Sequence, residues 1–251
     1  ISPLPWVPFF LAGWKPKWQG LKKVAWSAEI NGVKVFYPRF PVLPKKLARF
    51  LIPFSYYLFV KRLVQKIRGD FPFNLIHAHT ALPDGYAAML IARRLNLPFV
   101  VTIHGYDLDP ANLQKRIWKR SLKKVITKAD KVIYVSSYLK DFAYKELGTA
   151  GNWTIIFNGI AYPPPPVEVA KKEELVILSV ANLIPRKGLD ILIKAFSLVS
   201  KNSPSRAVLR IVGDGPERKK LQQLAEELEL KEQVVLLGRK NHAEVNREMA
   251  N

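Results

Sequence analysis

The segment Ile76–Asp107, IHAHTALPDGYAAMLIARRLNLPFVVTIHGYD, constrains the fold more than any other part of the chain. Two short apolar runs flank a stretch of helical periodicity, which predicts a strand, a helix and a second strand. A helix between two such strands implies parallel pairing with a right-handed crossover. Both predicted strands end in histidine, and ligands bind beyond the carboxyl ends of strands in an open α/β sheet. The segment therefore predicts an α/β fold with a functional site at that edge.

The same alternation continues on both sides of this segment. The pattern predicts strands at Val33–Tyr37, Leu75–His79, Phe99–His104, Lys131–Val135 and Trp153–Phe157, and helices at Leu47–Ile67, Gly85–Leu95 and Asn112–Lys128. A further helix follows Ser136-Ser137, which provides an N-cap, and ends at Gly148. These elements predict a first parallel-sheet domain over residues 1–160.

Four consecutive prolines, Pro163 to Pro166, form a stiff extended spacer, so we place a linker at residues 161–172. A second series over residues 173–251 predicts strands and helices in alternation: Leu175–Val180, Leu189–Lys201, Ala207–Val212, Glu217–Leu228, Val234–Leu237 and a helix that begins at His242. This series amounts to half of a doubly wound domain, and the second domain is expected to be incomplete.

The charge of the chain restricts its partners. The net charge is +20, and residues 1–69 carry 13 Lys or Arg against one acid, a net +12, together with 14 of the 28 aromatic residues. Basic charge mixed with aromatic rings suits an anionic membrane surface. Nucleic acid would also attract such a field, although no nucleic-acid-binding motif accompanies it, and a solvated basic face is the third interpretation.

Other classes of function find little support in the composition. The absence of cysteine excludes disulfides, thiolate metal sites and cysteine nucleophiles, and four histidines without HExxH-like spacing leave little for a metal. No secretory signal is visible, and the longest near-apolar run, Phe50–Val60, is too short to span a bilayer. We expect a soluble or peripheral protein that needs no metal.

The histidines at the strand ends are the first candidate site residues. His104 can hydrogen-bond a sugar hydroxyl or position a reacting group, and Gly105 allows close approach of the backbone to a ligand. Asp107 follows them in the same turn. His77 and His79 are expected to face opposite sides of the sheet, so that at most one reaches a cleft, and both are interpreted as structural.

Three strand-to-helix turns of the second domain carry the remaining candidates. In VANLIPRKGLD, residues 180–190, Arg186 and Lys187 lie at the start of a helix predicted to begin at Gly188, a site suited to a diphosphate. Gly213 and Gly215 of the VGDGP turn allow backbone to pass close to a ligand. The third turn ends in Gly238-Arg239. A solvated loop and a simple turn are the alternative interpretations.

These segments, together with Asn158-Gly159, resemble GT-B glycosyltransferases of the family 4 type. Relatives often read HAHYAYPDG…VVTLHGSD, then NG, GRL…KG, VGDGP and FLG in the same order. The sequence departs from the pattern where Ala181-Asn182 replaces the usual Gly-Arg before the retained lysine. That departure implies a weaker or rebuilt grip on the donor phosphate.

The resemblance implies two Rossmann-like domains that face each other across a cleft, a nucleotide-diphosphate sugar as substrate, retention of anomeric configuration and no metal or other cofactor. It assigns a role to each candidate: His104 to catalysis, Gly105 and Asp107 to the acceptor side, Arg186, Lys187 and Gly188 to the donor diphosphate, and Gly213, Gly215, Gly238 and Arg239 to the donor nucleotide. A glycan or lipid-linked acceptor at the cytoplasmic membrane face is expected.

Two parts of the family pattern have no counterpart in residues 1–251, namely the first strand with its Gly-rich loop and the later segment with paired glutamates. We therefore expect an incomplete chain that does not transfer sugar by itself. Three hypotheses remain open at this point: a retaining glycosyltransferase, a non-catalytic membrane-associated module of the same fold, and a basic nucleic-acid-binding protein.

Overall fold

A computed structural model describes residues 1–6, 21, 23–41, 52–159, 175–202 and 206–250 of the chain. The chain divides into two compact units, Ile1–Gly159 and Ile160–Asn251. The predicted linker at 161–172 and the first residues of the helix predicted over Leu47–Ile67 lie outside the described residues, and the limits of the linker stay a prediction.

The first unit contains a four-stranded parallel sheet. Its strands follow one another in the order of the chain: β5 (Ile76–Ala78), β6 (Phe99–Ile103), β7 (Lys131–Tyr134) and β8 (Trp153–Ile155). The connecting helices are α2 (Tyr86–Leu95), α3 (Pro110–Leu113), α4 (Arg116–Lys128) and α5 (Ser137–Leu147). Sequential parallel strands joined by helices confirm the α/β class that the alternating pattern predicted.

The part of the first unit that precedes this sheet is built from short strands and one long helix. Strands β1 (Leu4–Trp6) and β4 (Arg39–Pro41) pair in parallel, and β2 (Ser27–Ile30) pairs antiparallel with β3 (Val33–Phe36). Asn31 and Gly32 join β2 to β3 with φ of 49° and 77°, the left-handed pair that favours a tight hairpin. Helix α1 (Ile52–Asp70) follows, and no helix in the described ranges is long and apolar enough to cross a bilayer.

The core of the first unit explains why these runs pair as they do. Strand β6 lies between β5 and β7 and buries Phe99, Val101 and Ile103, because helices cover the sheet. Helix α4 contributes Leu122, Val125 and Ile126, whose spacing of three and four residues places them on one face. Each such side chain contributes roughly 1.5–3 kcal/mol by leaving water. The other face of α4 is strongly basic.

The turns that limit the helices agree only in part with the prediction. The Ser136 hydroxyl accepts a hydrogen bond from the Leu139 N–H at 3.3 Å, and Gly148 ends α5 with φ of 69°, so both predicted caps are confirmed. The single helix predicted over Asn112–Lys128 is wrong. Asp109 caps a short helix at Pro110, and Lys115 takes an extended conformation before α4 begins.

The second unit contains a three-stranded parallel sheet with β10 (Ala207–Val212) at its centre, between β9 (Leu175–Val180) and β11 (Val234–Gly238). Its helices are α6 (Leu189–Asn202), α7 (Arg218–Glu227) and α8 (His242–Ala250). Residues of β10 and α6, with Leu221 of α7, form the buried core. The strands and helices alternate as the sequence predicted.

Candidate active site

The carboxyl ends of β5 and β6 bring the histidines of the first unit together. His79 follows the last residue of β5 and His104 follows the last residue of β6, and the two parallel strands are hydrogen-bonded neighbours. Gly105 then turns the chain with φ of 104°, a conformation that favours glycine. Each of the two histidines is exposed. The sheet therefore presents both rings at the edge where ligands bind in α/β folds.

The two rings are joined by a hydrogen bond. Nδ1 of His79 lies 3.3 Å from Nε2 of His104, and the ring planes differ by 17°. The ring centroids are 5.6 Å apart, which is 2.3 Å more than the nitrogen–nitrogen distance. This difference is about the sum of the two ring radii, so the two nitrogens lie on the line that joins the centroids. The rings thus meet end to end in nearly one plane, the geometry of an N–H···N bond, and not face to face.

The prediction that His77 and His79 face opposite sides of the sheet is wrong. Their ring centroids are 4.5 Å apart. Side chains alternate with a period of two along a strand, so residues i and i+2 share a face. His77 lies next to β6, where its Nε2 is 2.8 Å from Oγ1 of Thr102. A structural role fits His77, whereas His79 contacts the predicted catalytic residue.

The surroundings favour the neutral form of these imidazoles. Partial burial lowers the pKa of His104 below its usual value, and the His79 ring lowers it further. Burial also lowers the pKa of His77, as do the neighbouring His79 and His104 rings. At neutral pH His104 therefore carries one ring proton and has one nitrogen that accepts a hydrogen bond.

Asp107 lies behind the histidines and is completely buried. Its Oδ1 accepts hydrogen bonds from the backbone N–H groups of Ala81 at 2.8 Å and Leu82 at 3.2 Å, while Oδ2 has no partner. Burial raises the pKa of this carboxyl to about 6, against the lowering effect of the N–H bonds. The side chain ties the turn after His104 to the segment after His79, so any effect on an acceptor passes through these backbone groups.

The segment between β5 and α2 was not predicted as a distinct element. Residues 81–85 form a wide helical turn, closed by a hydrogen bond of 2.7 Å from the Thr80 hydroxyl to Asp84. A Cβ at Gly85 would lie 2.9 Å from the Thr80 carbonyl oxygen, which explains the glycine. Ala81 and Leu82 of this turn donate the hydrogen bonds that hold Asp107. The sequence shows an aspartate at position 107, but only the fold shows that it is buried against this turn.

A cavity of about 630 Å³ lies against β5 in the first unit. Most of its wall is apolar and includes Val60, Val64 and Ile67 of α1, and its polar groups include His77, His79, Asp84 and Tyr56. Burial raises the pKa of the Tyr56 phenol, which also contacts the Asp84 carboxylate. The volume and the few polar groups are typical of a ligand pocket. His79 lies at its wall and contacts His104 beyond it.

The candidates of the second unit follow three parallel strands at one edge of its sheet. Arg186 and Lys187 belong to a short turn, Pro185–Lys187, after β9, and both are exposed. Gly188 has φ of 63°, and α6 begins at Leu189, as the predicted range Leu189–Lys201 has it. The two cations therefore lie immediately before the N-terminus of α6, where the helix dipole adds to their positive charge.

The glycines of the second unit have a packing role that the sequence did not reveal. A Cβ at Gly213, whose φ is 145°, would lie 1.9 Å from the carbonyl oxygen of Ala181. A Cβ at Gly215 would lie 2.4 Å from the carbonyl oxygen of Leu183. The loop after β9 occupies the space beside both glycines. Close contact between two loops requires glycine here, and contact with a nucleotide stays a prediction.

The third turn contains Gly238, with φ of 76°, followed by the exposed Arg239. Arg218 of α7 was not among the predicted site residues. Its guanidinium donates a hydrogen bond of 3.1 Å to the Leu236 carbonyl and lies next to Gly238. The sequence signal for Arg218 was its position in the first turn of the predicted helix Glu217–Leu228. In the described part of the chain, no three His, Asp or Glu side chains form a group that could hold a metal ion.

Comparisons with known proteins cover both units. Residues 16–161 match the model of Glycosyltransferase Family 4, and residues 165–251 match that of Glycosyl transferases group 1. An uncharacterized glycosyltransferase of Methanocaldococcus jannaschii is 30% identical over 192 residues, which cover 76% of this chain and 51% of that protein.

Two further relatives carry specific descriptions. The GDP-mannose-dependent alpha-(1-6)-phosphatidylinositol monomannoside mannosyltransferase of Mycolicibacterium smegmatis is 25% identical, with 90% of this chain and 58% of that protein covered. The alpha-monoglucosyldiacylglycerol synthase of Acholeplasma laidlawii is 26% identical, with 81% and 56% covered. The chain spans about half the length of the curated relatives it matches.

Among solved structures, the chain is similar to the sucrose-phosphate synthase of Thermosynechococcus elongatus. The TM-score is 0.69 at 18% identity, and the likeness covers 91% of this chain and 60% of that one. At this identity the likeness shows the fold alone. It confirms the predicted GT-B fold class, with two parallel-sheet α/β units.

Proposed function

The chain belongs to glycosyltransferase family 4, and from that premise we propose that it is part of a retaining enzyme which transfers a sugar from a nucleotide-diphosphate donor to a polysaccharide or lipid-linked acceptor. The observation that carries the proposal is the pair of exposed cations, Arg186 and Lys187, before the N-terminus of α6. Positive charge, free N–H groups and a helix dipole at one place suit a diphosphate.

The proposed transfer uses the acceptor hydroxyl, the donor and the two cations Arg186 and Lys187. The acceptor hydroxyl oxygen bonds to the anomeric carbon as the bond from that carbon to the diphosphate oxygen breaks. The hydroxyl proton passes to the departing phosphate, and a nucleoside diphosphate leaves. Both events take place on one face of the sugar, so configuration is retained. Arg186 and Lys187 stabilise the negative charge that develops on the phosphate.

His104 is the proposed catalytic residue of the first unit. Its lowered pKa supports a neutral imidazole, which accepts a hydrogen bond from a sugar hydroxyl while the other ring nitrogen stays bonded to His79. Gly105 and Asp107 shape the acceptor side through the turn that follows. No metal is required by this scheme, because the leaving charge is met by side chains and by the helix.

Binding of nucleoside diphosphates tests the donor half of the proposal. We expect UDP or GDP to bind the chain in isothermal titration calorimetry, and Lys187→Ala to weaken binding by about tenfold, since a charged hydrogen bond contributes about 1.5 kcal/mol. Lys219→Ala, which removes an exposed lysine of the same unit, is the matched control. Equal binding by both variants, or no binding of any nucleotide, would count against the donor site.

The proposals for the acceptor and for the place of action rest on the names of two relatives and on the surface charge of this chain. The name of the Mycolicibacterium smegmatis relative contains phosphatidylinositol monomannoside, and that of the Acholeplasma laidlawii relative contains monoglucosyldiacylglycerol, and both are lipids. In this chain, α4 carries no acid and exposes five cations, Arg116, Arg120, Lys123, Lys124 and Lys128, while the half-buried Lys119 pairs with Glu146. We propose peripheral attachment to the anionic inner face of the cytoplasmic membrane, through the basic face of α4 and the basic residues 1–69.

Vesicle flotation measures this attachment. Each Lys or Arg near an anionic surface contributes roughly 1 kcal/mol, so neutralising three should weaken binding to phosphatidylglycerol vesicles on the order of 100-fold. The test variant replaces three residues of α4 by Gln: Arg116, Arg120 and Lys123. The control replaces three exposed residues of the second unit by Gln: Lys219, Lys231 and Arg247. An equal loss in both variants would mean that only net charge matters.

The same two measurements separate the competing hypotheses. Vesicle binding without affinity for any nucleoside diphosphate would favour a non-catalytic membrane-associated module. Binding to duplex or single-stranded nucleic acid at physiological salt, with no preference for anionic vesicles, would favour the nucleic-acid-binding alternative.

A further inference from the structure

We propose that His79 is a positioning residue that fixes the proton of His104 on Nε2 and so leaves Nδ1 of His104 as the atom that accepts a hydrogen bond from a ligand hydroxyl. The arrangement of the proton follows from the geometry of the two rings. Its consequence for sugar transfer rests on the proposed function.

The contact between the rings constrains where protons lie. Nδ1 of His79 and Nε2 of His104 are 3.3 Å apart and the rings are nearly coplanar, so one nitrogen donates and the other accepts. Two neutral imidazoles with a donor at Nε2 of His104 both carry the proton on Nε2. The reverse direction would place both protons on Nδ1, the position that a free histidine side chain disfavours. The bond therefore runs from His104 to His79.

The neighbouring groups favour a neutral His104. Burial and the adjacent His79 ring lower the pKa of His104, and the ring of His77 lies against His79 with centroids 4.5 Å apart. In the described part of the chain, no carboxylate is hydrogen-bonded to any of these three rings. Asp84 accepts a hydrogen bond from Thr80 and contacts Tyr56, and Asp107 accepts from the backbone of Ala81 and Leu82.

The fold also holds the two rings in place. Asp107, three residues after His104, accepts hydrogen bonds from backbone N–H groups two and three residues after His79. This brace joins the two turns that carry the histidines. The His79 ring therefore orients the His104 ring at Nε2. The buried Asp107 carboxylate holds the backbone of the turn that follows His104.

Nuclear magnetic resonance of the chain labelled with 15N-histidine tests the inference directly, because the chain has four histidines, His77, His79, His104 and His242. We expect a scalar coupling across the hydrogen bond between the two nitrogens, with the proton on His104 Nε2. His79→Phe should abolish the coupling and allow His104 to populate both tautomers. The matched control, His77→Phe, should keep the coupling, since His77 bonds to Thr102.

A wild-type spectrum with no coupling, or with the proton on Nδ1 of His104, would overturn the inference. Neither result depends on a donor or an acceptor, so the spectra are decisive even if the proposed function fails. In an active protein, His79→Phe should lower kcat about tenfold with little change in KM, the effect of one lost hydrogen bond. His79→Asn, whose Oδ1 is attached to Cγ as Nδ1 of histidine is and accepts from His104, should restore most of kcat, and equal losses in both variants would contradict the inference.

Discussion

The buried carboxyl of Asp107 makes the stability of the first unit depend on pH in an unusual direction. One carboxyl oxygen accepts two backbone N–H bonds and the other has no partner, and burial raises the pKa to about 6 from the model-peptide value of 3.8. Because the folded state binds the proton more tightly, stability falls as pH rises through this range. The penalty is complete above about pH 6.

The replacement Asp107→Asn removes the titration and keeps an oxygen for the two N–H bonds. A shift of about 2.2 pKa values corresponds to about 3 kcal/mol. We expect the free energy of unfolding of the variant, relative to the wild type, to increase by about 2.4 kcal/mol between pH 4 and pH 7, because pH 4 already lies just above the model-peptide value of 3.8.

Tryptophan fluorescence in urea follows the transition, because all six tryptophans lie in the first unit and Trp118 donates to the Asp107 carbonyl. The control is Asp130→Asn, which alters an exposed carboxylate that also accepts a backbone N–H bond, at 2.8 Å. A difference between Asp107→Asn and the wild type that stays constant from pH 4 to pH 7 would refute the reasoning.

Three other substitutions probe local features of the fold. Gly213→Ala should destabilise the second unit by about 3 kcal/mol or more in circular-dichroism melts, because Cβ would clash with Ala181, whereas Gly69→Ala, in open space, should not destabilise the chain. Ser136→Ala should cost about 1 kcal/mol in urea unfolding through the lost N-cap of α5. Tyr134→Phe should cost about 1 kcal/mol in the same assay, since the buried hydroxyl donates to the Ala150 carbonyl. No effect in either of these two variants would contradict the assigned hydrogen bond.

The strands were predictable where a continuous apolar run had clear limits. Both Leu175–Val180 and Ala207–Val212 agree with the structure residue for residue. The second is the buried central strand of its sheet, and such a strand needs apolar side chains on both faces. The helix boundary at Pro110 was missed, since Asp109 and Pro110 begin a helix that Lys115 ends. A short interruption of this kind depends on caps and not on periodicity.

The candidate site was predictable in position and not in detail. His104 and the pair Arg186 and Lys187 follow strand ends, as the pattern required, and their roles stay predictions. The contact between His79 and His104 depends on the pairing of β5 with β6, which places residues 25 positions apart side by side. The burial of Asp107 likewise depends on tertiary contacts, and the expectation for His77 and His79 failed because it misapplied the strand period.

The central claim is that His104 acts in sugar transfer from a nucleotide donor. The most direct measurement is the release of nucleoside diphosphate from nucleotide sugars, with membrane lipid extract as acceptor, by the longest product of the gene that expresses. We predict turnover that His104→Ala lowers by about 100-fold or more, the usual scale for a residue that stabilises the transition state, while His242→Ala leaves it unchanged. Unchanged turnover in His104→Ala would contradict the account.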